Sequence, residues 1–210
     1  MTRPRMAPST GHMSSTGVQV SSDAPRRHLS TRQAQTVLRL TDAAVEELHE
    51  VGYQTLTVRA VAKRAGVAPA TAYTYFASKA HLIAEVFWRR IEAQTPRPPD
   101  PRRSAAARAA DVLMDFTLVV REETELAAAY TVAMLADDAD VRELRVRIAL
   151  EMHRRLAEAV GEEATAIVLQ TLELAASGAL VAVGTGHLAH ETLPKVLADV
   201  AALVLGGERP

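Results

Sequence analysis

The stretch YQTLTVRAVAKRAGVAPATAYTYFASKAHLIAEVFW, residues 53–88, packs two short helices, a glycine turn and a third helix start into three dozen residues. Thr57 is placed to cap a helix starting at Val58, its hydroxyl accepting one of the orphan amide protons of the first turn. Val58, Val61, Ala62 and Ala65 then recur at helical spacing as a narrow apolar stripe. Arg59, Lys63 and Arg64 point away from that stripe and are expected to be available to phosphates. Gly66 follows where a helix end often needs positive φ, and Val67 returns to the core. Pro69 suits the first turn of a second helix, where its missing amide proton costs nothing. That helix, Pro69 to Tyr75, is only about two turns long. Its surface offers Thr71, Tyr73, Thr74 and Tyr75, all hydrogen-bond donors to a phosphate or base edge. Ser78 caps a third helix running through Leu82, Ile83, Val86 and Phe87. Lys79 opens it against the usual preference for acidic residues, which a phosphate ligand would explain. A helix, a tight turn and a short polar second helix suit insertion into a DNA major groove. Such units also serve as packing devices, in which Tyr73 and Tyr75 are ordinary half-buried aromatics; Ala62, Val67 and Phe76 read as core.

Upstream lies DAAVEELHEVGY, Asp42 to Tyr53. Together with LTVRAVAKRAGVAPATAYTYFASKAHL it resembles the N-terminal domain of the TetR family, the tetracycline-repressor-like regulators. The elements match in order and spacing: Gly52, Thr57-x-Arg59, Ala62, Ala65-Gly66-Val67, Tyr73-x-Tyr75-Phe76 and Ser78-Lys79. The likeness covers residues 32–91, somewhat under a third of the chain. Four positions depart from the family habit. Ala68 stands where a Ser or Thr cap is common, Ala72 replaces a larger aliphatic residue, Leu48 replaces Phe, and Ala80 replaces an acidic residue. The resemblance implies contacts to double-stranded operator DNA by Thr57, Arg59, Pro69, Ala70, Thr71, Tyr73, Thr74, Tyr75 and Lys79.

Composition bounds the rest. A 48% hydrophobic content with only 4% aromatic means an interior of Ala, Leu and Val, which favours helices. The expected fold is all-α: a three-helix helix-turn-helix domain at residues 31–94, then a helical domain at 104–207. Residues 1–30, rich in Ser, Thr, Pro and Arg, read as a disordered basic arm. Arg26 and Arg27 are possible phosphate contacts there, and Met6 and Met13 alternative starts. The net charge of −1 hides an asymmetry, since residues 1–94 carry +5 and residues 95–210 carry −6. A positive end on an acidic chain suits a polyanionic partner. The absence of cysteine excludes disulfides, Cys-ligated zinc and thiol chemistry. No signal-peptide-like segment opens the chain, and the expected location is cytoplasmic.

TPRPPDPRR, residues 95–103, marks the domain boundary. Five helices are expected beyond it, at about 104–120, 123–135, 139–159, 163–183 and 192–205, the last closed by Gly206-Gly207. The fourth, AIVLQTLELAASGALVAV, is apolar on nearly every face. Gln170 and Glu173 near its middle argue against a membrane span, so it needs protein partners on several sides. In the family the last two helices form a four-helix dimer interface. Ala175, Gly178, Ala179 and Ala182, with Val196, Val200 and Leu203 on the final helix, fit that homodimer role.

The resemblance also implies a cavity for a small-molecule effector in the second domain. Candidate lining residues are Met114, Phe116, Thr117, Tyr130, Met134, Met152, His153, Gln170 and Glu173, although Met and Phe at this spacing also read as plain core. Their soft, apolar character favours a hydrophobic or amphipathic effector. His187 and His190 lack a convincing third ligand, and neither a metal nor a cofactor is expected. The expected function is a ligand-responsive transcriptional regulator, with an effector shifting the helix that carries Phe87 and Trp88. An architectural DNA-binding protein without ligand is the alternative. A small enzyme or carrier is the remaining one, for which no nucleophile, base and acid set stands out. Repression and activation are both open.

Overall fold

The computed structural model describes residues 31–119 and 123–206, and is helical with no strand among them. The basic arm with Arg26 and Arg27, Val120 and Gly207 lie outside the described residues. α1 (Thr31–Thr55) buries Val37, Leu40, Ala44 and Leu48 along one face. Gly52, at φ 71 and ψ 165, breaks it near its end, a conformation an L side chain rarely adopts. α2 (Val58–Arg64) begins at Thr57, whose hydroxyl oxygen accepts from the Ala60 amide at 3.1 Å. Gly66 at φ 63 turns the chain, while the Val67 amide bonds back to the Ala62 carbonyl at 2.9 Å. α3 (Pro69–Tyr75) has proline in its first turn and no side-chain cap from Ala68. The family cap missing from the sequence is missing from the structure as well.

α4 (Lys79–Ala93) is the long third helix of this head and its link to the rest. Ser78 Oγ accepts from the His81 amide at 3.0 Å and donates to Asp138 Oδ2 at 2.6 Å. One hydroxyl thus caps α4 and fastens it to the second domain. Leu82, Ile83, Phe87 and Ile91 are fully buried, each contributing on the order of 2 kcal/mol. α4 packs on α1 on one side and on α6 (Thr124–Met134) and α7 (Ala139–Val160) on the other.

α5 (Ala105–Leu118), α8 (Ala166–Gly184) and α9 (Leu193–Leu205) complete the body. α5 lies against α7 and α9, and α8 against α6 and α9. Side-chain caps open α5, α7 and α8: Ser104 accepts from the Ala107 amide, Asp138 from the Asp140 and Val141 amides, and Thr165 from the Val168 amide. Gly206, left-handed at φ 67, ends α9. α8 is long and apolar enough to cross a membrane, yet Leu169, Leu172, Ala176, Leu180 and Val183 are buried in the bundle.

Two features hold the body to itself and to α4. Arg155 is only 6% exposed. It bonds Glu151 at 2.7 Å, Gln94 Oε1 at 3.1 Å and the Ile91 carbonyl at 3.1 Å, with Phe116 beneath it. A buried guanidinium is tolerated because its donors are satisfied. At Gly184 a Cβ would overlap Thr131 Oγ1 and sit 2.9 Å from the Ala127 carbonyl oxygen. Glycine there lets α8 and α6 touch backbone to side chain.

Candidate nucleic-acid interface and body cavity

α3 shows solvent the face expected of a groove-reading helix. Pro69, Ala70, Thr71, Tyr73 and Thr74 are exposed, Ala72 is fully buried underneath, and Tyr75 is half-buried at the edge. Tyr73 is 51% exposed, which a packing role would not require. Thr74 Oγ1 donates to the Thr71 carbonyl at 2.6 Å, so its proton is committed within the helix. Thr57 accepts as a cap and is exposed, and Arg59 and Lys63 are exposed on α2. An open hollow of about 530 Å³ beside α3 is lined by Arg32, Gln33, Thr36 and Arg39 of α1 with Thr71 and Tyr75. Two arginines flanking exposed hydroxyls match a phosphate backbone lying across the mouth of the hollow.

Two cations expected on phosphates are engaged elsewhere. Arg64 Nε bonds Glu47 at 2.7 Å, and the same guanidinium reaches Glu50 and Glu46. Lys79 Nζ donates to the Tyr53 and Gln54 carbonyls at 2.8 and 2.9 Å and lies 4.7 Å from the Tyr53 ring centroid. The end of α1, opened at Gly52, has carbonyls in need of donors. They account for the lysine at the start of α4 without any phosphate.

In the body, an opening of about 270 Å³ lies between α6, α7 and α8. Of the expected lining residues it gathers Tyr130, Met134, Met152 and Glu173, and adds Thr131, Arg145, Ile148 and Ser177. Five others lie elsewhere. Phe116 is sealed in the core under Arg155, and Thr117 is buried with its hydroxyl on the Met114 carbonyl. Met114 packs half-buried against the core, Gln170 is exposed, and His153 stands outside with Nδ1 2.7 Å from Glu173. No residue of α5 lines this opening, and helical spacing alone did not tell which helices would enclose it. Tyr130 stacks on Phe87 of α4, with centroids 3.7 Å apart and planes at 17°.

The outer faces of α8 and α9 carry apolar residues without cover. Ile167, Leu174 (66% exposed) and Val181 form a stripe on α8 with Thr171 and Gly178, and Val196 and Leu203 do so on α9. Gly178 has nothing within 4 Å of a built Cβ. Ala175, Ala182 and Val200 are half-buried. Ala179, expected on this face, is 8% exposed and packs into its own core. The close-packed small residue of α8 is instead Gly184.

The family model described as bacterial regulatory proteins of the tetR family matches residues 40–86, from mid-α1 to α4. An HTH-type transcriptional regulator of Mycobacterium tuberculosis is 43% identical over 178 residues, 84% of this chain and 83% of its own. The chain belongs to the TetR family. As a TetR-family transcriptional regulator it is also similar to the transcriptional repressor KstR of Rhodococcus jostii, 34% identical over 52% of each chain. Among solved structures, a TetR regulator from Rhodococcus sp. RHA1 superposes with a TM-score of 0.68 at 25% identity, covering 80% of this chain and 97% of its own. FadR from Bacillus subtilis in complex with stearoyl-CoA shares the fold, with a TM-score of 0.53 at 20% identity over 81% of this chain and 98% of its own.

In this TetR-family chain the sequence reading did not place α1 residues beside the candidate nucleic-acid face, where Arg32, Thr36 and Arg39 line the hollow next to α3. Arg32, Thr36 and Arg39 recur at i, i+4 and i+7, a polar stripe opposite the buried one. That was the available signal.

Proposed function

We propose that this TetR-family regulator is a dimeric repressor, released from a palindromic operator by a small hydrophobic or amphipathic effector held between α6, α7 and α8. One observation carries the reading. Tyr130 is at once a wall of the cavity and the stacking partner of Phe87 on α4, and α4 is continuous with the helix-turn-helix. A molecule entering the cavity presses on a ring that presses on the DNA head. The effector needs only to bind the operator-incompatible spacing better, and a difference of about 1.4 kcal/mol shifts occupancy tenfold.

Dimerisation is supported by the uncovered stripes of α8 and α9, which together make a two-helix apolar face that a second copy would bury. It is also supported by the brevity of α3, since one short helix reads few bases. Two heads spaced about 34 Å apart read two half-sites on one side of the duplex. Repression, as opposed to activation, is supported by the likeness to a relative named as a repressor.

The test is a thermal-shift screen of apolar metabolites, followed by operator release measured by fluorescence anisotropy on an inverted repeat from the chain's own promoter. Compounds that raise the melting temperature are expected to release the operator. In Phe87→Leu, which removes the stack and keeps an apolar side chain, the same compounds are expected to bind and to release poorly. Compounds that bind the cavity and leave operator affinity unchanged would overturn the repressor mechanism.

A further inference from the structure

We infer that the cavity between α6, α7 and α8 receives a compact, mostly apolar molecule bearing one hydrogen-bond-accepting oxygen, and that the Tyr130 hydroxyl donates to that oxygen. This rests on the effector reading above and names the chemical class that the same cavity selects.

Tyr130 is 7% exposed and lines the cavity, yet its hydroxyl has no hydrogen-bond partner among the described residues. The hydroxyl is not among the sealed, unpartnered polar atoms of the core and so keeps contact with the opening, and a guest that displaces water from it must supply an acceptor or leave the donor unpaired. Burial pushes the phenol above its ordinary titration range, so it stays a donor at neutral pH. The Phe87 stack fixes the ring plane, which keeps the hydroxyl in one place for a ligand to meet.

The other polar groups around the opening are already engaged. Thr131 Oγ1 donates to the Ala127 carbonyl at 3.0 Å, and Ser177 Oγ to the Glu173 carbonyl at 2.9 Å. The Glu173 carboxylate takes His153 at 2.7 Å. Arg145 Nη1 donates to the Met134 carbonyl at 2.6 Å and reaches that of Ala136 at 3.4 Å, closing the end of α6. One guanidinium and one carboxylate, each with a protein partner, offer no surplus charge to an ionic ligand. Around Tyr130 the walls are Met134, Ile148, Met152 and Val181, and the two methionines adapt to irregular apolar shapes.

Size sets the upper bound. A volume of about 270 Å³ lies just below the usual range for small-molecule pockets, roughly 300–1,000 Å³. A fused bicyclic ketone is of suitable bulk. A long-chain acyl thioester such as stearoyl-CoA is far larger than the space.

The probes are 1-tetralone, its hydrocarbon parent tetralin, 1-naphthoate and stearoyl-CoA, titrated into the full chain by calorimetry. Wild-type protein is expected to bind 1-tetralone on the order of tenfold more tightly than tetralin, the effect of one hydrogen bond to a donor that the hydrocarbon would strip of water and leave unpaired. Tyr130→Phe removes only the oxygen, and is expected to bind both equally while retaining wild-type affinity for tetralin. Equal affinity of wild type for ketone and hydrocarbon, or a preference that persists in Tyr130→Phe, overturns the inference. So does tighter binding of 1-naphthoate or stearoyl-CoA than of 1-tetralone, or binding of none of the four. The effector reading is judged separately with Met152→Trp, which fills the cavity. Operator-releasing compounds from the screen that act undiminished on this variant bind elsewhere and overturn the cavity itself, whatever their chemistry.

Discussion

Single side chains divide into those proposed to meet DNA and those that hold the head together. Arg32 and Arg39 flank the hollow beside α3, whereas Lys79 and Arg64 are bound within the protein. Arg32→Ala and Arg39→Ala are each expected to lower the slope of log affinity against log salt by about 1, through one fewer released counterion. Lys79→Met is expected to leave that slope unchanged and to cost roughly 1 kcal/mol of stability by urea denaturation, since two α1 carbonyls lose their donor. A reduced slope in Lys79→Met would return this lysine to the phosphates. Thr71→Ala and Tyr73→Phe remove exposed donors without opening the core. Each is expected to cost on the order of 1 kcal/mol on the operator and little on random DNA, by competition anisotropy. At this scale the sequence was legible wherever a local rule decides: Thr57 and Ser78 as caps, Gly66 as turn, Pro69 as first turn. It was illegible where a partner lies far along the chain, as for Lys79 with Tyr53 or Ser78 with Asp138, because spacing says nothing about what a folded chain brings together.

Among the helices, α4 and α8 carry the predictions. Trp88 is half-buried on α4 directly after Phe87 and faces the groove between α4 and α7. If the Tyr130–Phe87 stack transmits effector binding, Trp88 emission is expected to shift in proportion to operator release. Full release with unaltered emission would assign transmission to another route. On α8, Gly178→Arg places a charge on the uncovered face with open space around it, and is expected to give monomers by light scattering with an unchanged melting temperature at low concentration. A persistent dimer would remove this face from the interface. Order and approximate length of the body helices were readable from periodicity, although α8 begins at Ala166, past a 3-10 turn at Gly161–Glu163, rather than at about 163. Which side of each helix meets which neighbour was not. α8 is apolar all round, so composition gave no reason to separate Ala179, inside, from Leu174, outside.

Across the whole molecule, head and body are joined by polar contacts at the two ends of α4. Ser78 reaches Asp138 at one end, and Ile91 and Gln94 reach Arg155 at the other. Glu151 steadies that arginine. Hydrogen bonds from Arg154 and then Arg155 hold its carboxyl down from 4.5 to about 2, against the opposing effect of burial. A depressed carboxyl stabilises the fold at pH values above 4.5, and that stabilisation is lost as pH falls toward 2. Glu151→Gln is expected to start less stable at neutral pH and to lose less on going from pH 7 to pH 3, by thermal denaturation. An equal acid loss in both proteins would locate the sensitive carboxylates elsewhere. Finally, the contact at Gly184 gives the body a mechanical direction. α6 and α8 already touch there, with no room even for a methyl group, so the gap between them has a floor and no ceiling. A guest can spread these helices but never draw them together. For the proposed effector the cavity would then act as a one-way valve for force, with every occupant large enough to be felt expected to push Tyr130, and the helix behind it, in the same sense.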